Sequence, residues 1–449
     1  MLKFQKAKKL FSIVFLSLIM SFVGKCLATP AAAIYHDPAI FYTPAGVNPF
    51  YYIKNESKWV VFELDPYYQH ASGAKNTDGV KVPLGDRLGR WNMLGLLNGT
   101  SAAPETFSAA NYPDLYAAKT NISAVDSELV SDTFTTSAGT LGSYSIPVKN
   151  EKYGIRTKCH FNFGAGFFAN IRGGFTHYKW DPTFNDQTST STFVESIQTV
   201  VIDNLMTEEK RDAAASDIGL NIDMQSKTAL EDFHVELGWS NKFGMNDEEN
   251  KLAVRIMPYL AVGLWLPTGE KKDQDQAFSI PTGNDGFFGL SVEGAMNFDF
   301  PKTVQLNVGG GLTYFEKKRR NNYRVPSTET QLGIYPWKVP VSMRLGTTWH
   351  LYAGFMSQHF AGKLSCFFNY VYTKKEKDSI TMEDTATRNA LFKPKKLENE
   401  SSWESQVWHL GLDYDITEHL AFGISVQSPI TGKKIARTLT LLGAVRFSF

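Results

Sequence analysis

Cysteine is scarce in this chain. The 449 residues hold three, and two of them, Cys159 and Cys366, lie beyond the first 30 positions. A disulfide-dense scaffold is therefore excluded, and the fold must be held by packing and hydrogen bonds. No spaced Cys/His set offers zinc or iron–sulfur ligation, and the nine histidines are scattered singly. Excess charge of one sign is missing too. The 46 basic residues face 45 acidic ones, which argues against the strongly basic surface that nucleic-acid binding needs. Beyond the first 25 residues there is no run of about 18 apolar residues, the length a spanning helix requires. No Gly-x-Ser-x-Gly elbow, phosphate-binding glycine loop or metal-binding helix motif occurs, so the expectation is no cofactor and no enzyme. One His-x-Ser is present, His70-Ala71-Ser72. A nucleophile needs a base and a third group to orient it; no third group can be assigned here, and the motif reads as a chance occurrence.

Aromatic residues, by contrast, are abundant: 32 Phe, 19 Tyr and 9 Trp. They sit in a chain whose mean hydropathy is nevertheless −0.23. Residues 1–28 have the layout of a secretory signal, with Lys3, Lys6, Lys8 and Lys9 ahead of an apolar stretch from Leu10 to Val23 and small residues at the exit. Cleavage after Ala28 or Ala33 fits. Residues 29–57 are expected to lie in the periplasm or inside the folded body.

The rest of the chain is dominated by period-2 alternation, the pattern of a strand with two different faces. Twelve segments show it: 58–70, 151–163, 167–180, 229–243, 251–265, 286–299, 303–315, 339–355, 362–373, 403–416, 419–428 and 437–449. In the sixth, Phe288, Leu290, Val292, Met296 and Phe298 alternate with Gly289, Ser291, Glu293, Ala295, Asn297 and Asp299. Connections after even-numbered segments are short, while those after odd-numbered ones are mostly long and polar, with 71–150, 181–228 and 374–402 the largest. Short turns on one side, long loops on the other and aromatics near segment ends describe an all-β transmembrane antiparallel barrel spanning 58–449. The count is twelve strands, or fourteen if Leu84–Trp91 and Val125–Thr135 add a hairpin. One helix is expected in the 181–228 loop, over 195–215, placed either as a lid in the mouth or on top of neighbouring loops.

Together with a cleavable signal, the ending Val445-Arg446-Phe447-Ser448-Phe449 resembles the assembly signal of Gram-negative outer-membrane barrels, porins among them. The resemblance implies residence in the cell outer membrane, contact with its lipid, and recognition of Phe447 and Phe449 by the barrel-assembly machinery. Asp37-Pro38-Ala39-Ile40-Phe41-Tyr42-Thr43-Pro44-Ala45-Gly46 is similar to the N-terminal hatch of the fatty-acid and aromatic-hydrocarbon transporter barrels, and Gly263–Glu270 to a strand ending at their mouth. That family has asparagine where Thr43 stands.

If the apolar faces meet lipid, the others line a lumen. The lumen candidates are Arg156, Lys158, Arg172, Glu236, Arg255, Glu293, Arg344 and Glu404, with Glu63, His409, Asp413 and Arg446 on the same faces. Charge of both signs inside means either a hydrated passage or a lumen closed by cross-strand ion pairs. The first reading of function is a channel or facilitated transporter for small solutes. The alternative is an occluded barrel that binds or supports at the surface, with a hydrolase third. Both cysteines are expected to face lipid.

Overall fold

A computed structural model describes residues 59–131, 141–246, 252–300, 304–329, 331–333 and 335–449. The signal segment and residues 29–57 lie outside them. Twelve antiparallel strands close into a barrel. In chain order they are β1 Val60–Lys75, β2 Val148–Gly164, β3 Phe167–Pro182, β4 in three pieces (Gln225–Leu230, Phe233–Ser240, Phe243–Asn246), β5 Leu252–Leu266 and β6 Gly289–Asp299. There follow β7 Gln305–Phe315, β8 Thr348–Ala361, β9 Leu364–Lys375, β10 Trp403–Asp415, β11 Leu420–Lys433 and β12 Ile435–Ser448. Each strand pairs with its sequence neighbour, and β12 returns to β1 in register from Val61↔Ser448 to Lys75↔Ile435. Closure reaches the last residue, since the Trp59 amide donates to the Phe449 carbonyl at 2.7 Å and the Phe449 amide to Val60 at 2.9 Å.

Alternation works as the sequence implies. Outward positions expose Ile155, Leu237, Leu260, Val308, Leu351, Leu410, Ile424 and Leu441. Tyr68, Tyr153 and Tyr314 flank this band toward the long loops, and Trp59, Phe167, Phe243, Phe360 and Tyr414 flank it toward the short turns. A closed barrel that turns this much apolar surface outward between two aromatic girdles is built to sit in lipid. Cys159 on β2 and Cys366 on β9 fall on outward positions and are free. On the turn side, β2 passes to β3 through Ala165 and Gly166, both at positive φ. A Cβ on Gly166 would meet the Ser240 carbonyl at 2.2 Å, so that turn requires glycine.

Three boundaries differ from the sequence reading. The 339–355 segment is two elements: Lys338–Arg344 leaves the barrel for a small sheet with Lys318–Arg324 and Ser379–Met382, and β8 begins only at Thr348. Gly346 makes the bend, its amide donating to Asp378 Oδ1 at 2.7 Å. Residues 429–436, which fall between the last two alternating segments, are strand except for Lys434, because β11 and β12 continue past the apolar band. No extra hairpin raises the count to fourteen: Leu84–Asp86 is a 3₁₀ turn and Ser127–Val130 another, and residues 132–140 lie outside the described ones.

The long loops fold together as a cap with its own hydrophobic core. Its longer helices are α1 Pro113–Val125, α2 Glu195–Val201, α3 Glu208–Asp217 and α4 Pro394–Ser401. The helix expected over 195–215 is broken by a π turn at Ile202–Met206 into α2 and α3. Val201, Leu205 and Ala215 pack into the cap core with Trp91, Leu94, Leu115, Phe278 and Trp337, so it lies among the loops rather than in the bore. Pro113 pre-sets the first turn of α1, whose free amides at Asp114 and Leu115 are taken by Asp217 Oδ2 at 2.9 and 2.8 Å. An anion at that end is also favoured by the helix dipole. Inward residues at the strand tops, among them Ala71, Tyr178, Trp180, Phe315 and Ala436, belong to the same core, which seats the cap in the mouth.

Arg324 ties the loops to one another. Its guanidinium donates to the carbonyls of Gln274, Tyr335, Pro336, Ile218 and Gly219 at 2.6–3.2 Å, and it is almost fully buried. Arg324→Met is expected to strand those acceptors and loosen the cap by on the order of 3–5 kcal/mol. Limited proteolysis should then nick the loops readily while the barrel keeps its folded gel mobility.

Candidate functional site

The inward positions of β1 to β6 carry most of the lumenal charge. Glu231 at the mouth is the first hub: Arg156 grips it with two bonds at 2.6 and 2.9 Å, Lys152 stands at 3.2 Å, and the Tyr67 hydroxyl donates at 3.0 Å. The second is Glu236, which accepts from Asn170 at 2.6 Å and from the Tyr259 hydroxyl at 2.5 Å. At the turn end Arg446 pairs with Glu63 at 2.6 Å and approaches Asp413 at 3.7 Å. Some contacts skip one or two strands and so run through the lumen: Tyr67 on β1 meets Glu231 between the first two pieces of β4, Phe168 on β3 stacks on Tyr259 on β5, and Tyr352 on β8 donates to Glu293 on β6 at 3.2 Å. A Cβ on Gly309 would meet the Tyr352 ring at 2.6 Å, so the bare backbone there gives that ring its place.

Six of the eight lumen candidates sit on the inner wall. Arg156, Lys158 and Glu236 are buried there. Arg172 stacks on Trp265 at 5.0 Å, in electrostatic reach of Glu293 and of His350 on the far wall. Arg255 pairs with Asp299 at 3.7 Å near the turn end, where it is half-exposed. Arg344 is a correction: it leaves the barrel with its strand and lies over the outward-facing Tyr314, donating to the hydroxyl at 3.0 Å. Glu404 is another. It has opposite parity to His409 and Asp413 on the same strand, and it faces out beside Lys433 at 3.6 Å and Tyr372. Phe447 also faces out and stacks on Phe62 at 6.5 Å. In the His70-Ala71-Ser72 stretch, Ala71 is the inward residue, which puts His70 outside; the Ser72 side chain lies outside the described residues.

The wall made by β7 to β11 is different. Between Lys375 at the cap end and Asp413 at the turn end, its described inward residues include no Asp, Glu, Lys or Arg. It carries Asn307, His350, Tyr352, Asn369, Val371, Thr373, Ser405, Val407 and His409, most of them buried. Simple parity would have located this neutral half in the sequence, but a search for charges passes over it.

Most of the described inward residues are buried. Beside Asp65, Lys158, Arg172 and Glu231 lies a cavity of about 20 Å³, enough for about one water. The mouth is sealed by the connection between β5 and β6, residues 267–288. Asp232 accepts from the backbone amides of Gly269 and Asn284, and the Thr282 hydroxyl donates to the Leu230 carbonyl. A Cβ on Gly283 would meet the Asp232 carboxylate at 2.1 Å, so the lid lies directly against that carboxylate. Farther along the lid, Lys272 is buried near Asp285 and Arg87, and burial pushes its amine down to about 7.

No protein-family model matches the chain, and no curated protein does. Among solved structures the chain is similar to an outer membrane channel from Pseudomonas putida F1, at 7% identity over 87% of this chain and 96% of that one, with a TM-score of 0.46. It is also similar to the transport unit of the autotransporter AIDA-I from Escherichia coli (8%, 88% and 92%, 0.35) and to a FadL homologue of Pseudomonas aeruginosa (8%, 94% and 98%, 0.28). Likenesses this loose describe shape and carry nothing about function.

The lid gives a pH dependence with a definite sign. Folded Lys272 holds its proton only below about 7, whereas its ordinary value is 10.5. At pH 7 and below, the lid therefore docks with a buried charge. As pH rises from 7 toward 10.5, the docked amine is neutral while the free one still binds a proton, and docking strengthens. Lys272→Met should raise the cap's melting temperature at pH 6–7, and that gain should shrink toward pH 10.

Proposed function

We propose that this protein is an outer-membrane channel or facilitated transporter for small solutes, resting in a closed state beneath its cap. What carries the reading is the contrast between the two faces of one wall. The exterior is apolar, as lipid requires, yet a barrel of twelve strands keeps Arg156, Lys158, Arg172, Glu231, Glu236 and Glu293 within. Buried ion pairs are often no more stable than well-packed apolar residues of the same volume. A barrel serving only as an anchor would gain nothing from such a lining, whereas a passage that fills with water when the lid lifts needs it. The secretory layout of residues 1–28 and the Phe447/Phe449 ending support an outer-membrane address. The barrel-assembly machinery would be the partner in insertion.

The cap supports a second reading. A loop layer with its own hydrophobic core could present a binding surface above a barrel that never opens. Planar bilayers separate the two. Under the channel reading the intact protein gives discrete, infrequent openings, and replacing 270–284 by a short turn makes the conductance steady. Flat traces from both proteins, each shown to be inserted, would favour the occluded barrel.

A further inference from the structure

One row of directly opposed residues runs around the uncharged half of the lumen. Asn307 on β7 faces Gly354 on β8; Gly354 faces Asn369 on β9; Asn369 faces His409 on β10; and His409 faces Gln427 on β11. The row continues through Thr440 on β12 to Gln69 on β1, where the Gln69 amide donates to the Thr440 hydroxyl at 3.0 Å. Beside it, Thr373 faces Ser405. Every side chain in this set is an amide, a hydroxyl or an imidazole. Gly354 has no side chain to offer, and a Cβ there would meet Asn369 Oδ1 at 2.0 Å, so the asparagine amide lies flat over bare backbone.

The middle of the row is sealed and unsatisfied. Asn369 is 0% exposed and His409 1%, and neither the amide oxygen and nitrogen of Asn369 nor the two ring nitrogens of His409 have a hydrogen-bond partner. Asn307 Oδ1, the Thr373 hydroxyl and the Ser405 hydroxyl are in the same position. Buried polar atoms without partners cost free energy in the closed state, and they recover it once water or a solute reaches them. The opposite wall has orphaned atoms as well, Asp65 Oδ2, His234 Nδ1 and the Thr176 and Ser240 hydroxyls among them, but its carboxylate hubs are bonded. Glu231, Glu236 and Glu63 already hold bonds to Arg156, Tyr259 and Arg446, and parting them would expose charges that are now compensated. Opening along β8 to β10 therefore satisfies orphaned groups without parting any compensated charge.

Resting on the channel reading above, we infer that Asn369 and His409, with Thr373 and Ser405 beside them, are the solute-contacting part of the permeation path. The solutes they fit are small, uncharged and rich in hydroxyl or amide groups. Such molecules supply donors and acceptors in equal measure to a wall that carries both and no fixed charge. Val371, Val407 and Tyr352 between the polar rungs offer apolar contact to the carbon faces of the same molecules.

The test uses the full chain in proteoliposomes, with swelling rates measured for L-arabinose and for sodium gluconate. The expected result is faster entry of arabinose than of gluconate. Asn369→Leu combined with His409→Leu should cut the arabinose rate by about tenfold while raising the melting temperature, because the closed state loses its orphaned polar atoms. Outward-facing Glu404→Gln should change neither. Folding of each variant is checked by heat-dependent gel mobility. Should the double variant not fold, Thr373→Val with Ser405→Ala keeps volume and tests the same wall, with a smaller loss of arabinose entry expected. Entry of both solutes that is indifferent to these substitutions overturns the inference and leaves the channel reading standing. A wild-type protein that passes neither solute, even with the lid removed, overturns both.

Discussion

Everything in this molecule depends on the ladder between β1 and β12. Lipid offers no water to unpaired amides and carbonyls, so a sheet can live there only if it has no edge. The register from Val61↔Ser448 to Lys75↔Ile435 removes that edge over the full length of both strands. Phe449 extends it by pairing its backbone with Trp59 and Val60. Once the ladder is closed, period 2 decides the rest: each strand must send one face to lipid and the other to an interior too wide for a few small residues to fill. The charged network, the neutral row and the cap are consequences of that geometry.

The interior is closed unevenly. Along β1 to β6, acids and bases from alternate strands find one another across the bore, and Glu231 gathers Arg156, Lys152 and Tyr67 at the mouth. Along β7 to β11 the described lining between Lys375 and Asp413 is neutral, and much of its polarity goes unanswered. Above both walls the lid docks on Asp232, and Arg324 binds the surrounding loops into one body. Both halves bury some unanswered polar atoms, but only one is also locked by compensated charge, which sets where the structure can yield.

Much of this was legible from alternation alone. Each of the twelve segments overlaps a barrel strand, and the alternation of short and long connections puts the cap on the right side. What failed did so for local reasons. Arg344 reads as part of a strand because Lys338–Arg344 and Thr348–Ala361 both alternate, but Gly346 and its bond to Asp378 turn the chain between them. Glu404 shares a strand with His409 and Asp413, and parity forbids all three from pointing inward. The helices of the cap were hard to see because they are short and are fixed by contacts between loops far apart in sequence, as Asp217 fixes the start of α1. Alternation already puts His409 on a lumenal face, while Asn369 carries no charge to mark it; that both lack partners is a property of packing, which no periodicity records.

The central claim is that the lumen is sealed by its own lining beneath a folded cap, with open states rare. Val371→Cys in the neutral wall, in a background with Cys26, Cys159 and Cys366 replaced by serine, tests it most directly. Its reaction with a water-soluble methanethiosulfonate is compared with that of Thr120→Cys on the outside of the cap. With open states populated at about 0.1–10%, the lumenal cysteine should react about 10 to 1000 times more slowly than the cap cysteine. Equal rates in the intact protein would mean a standing open bore and would contradict the account.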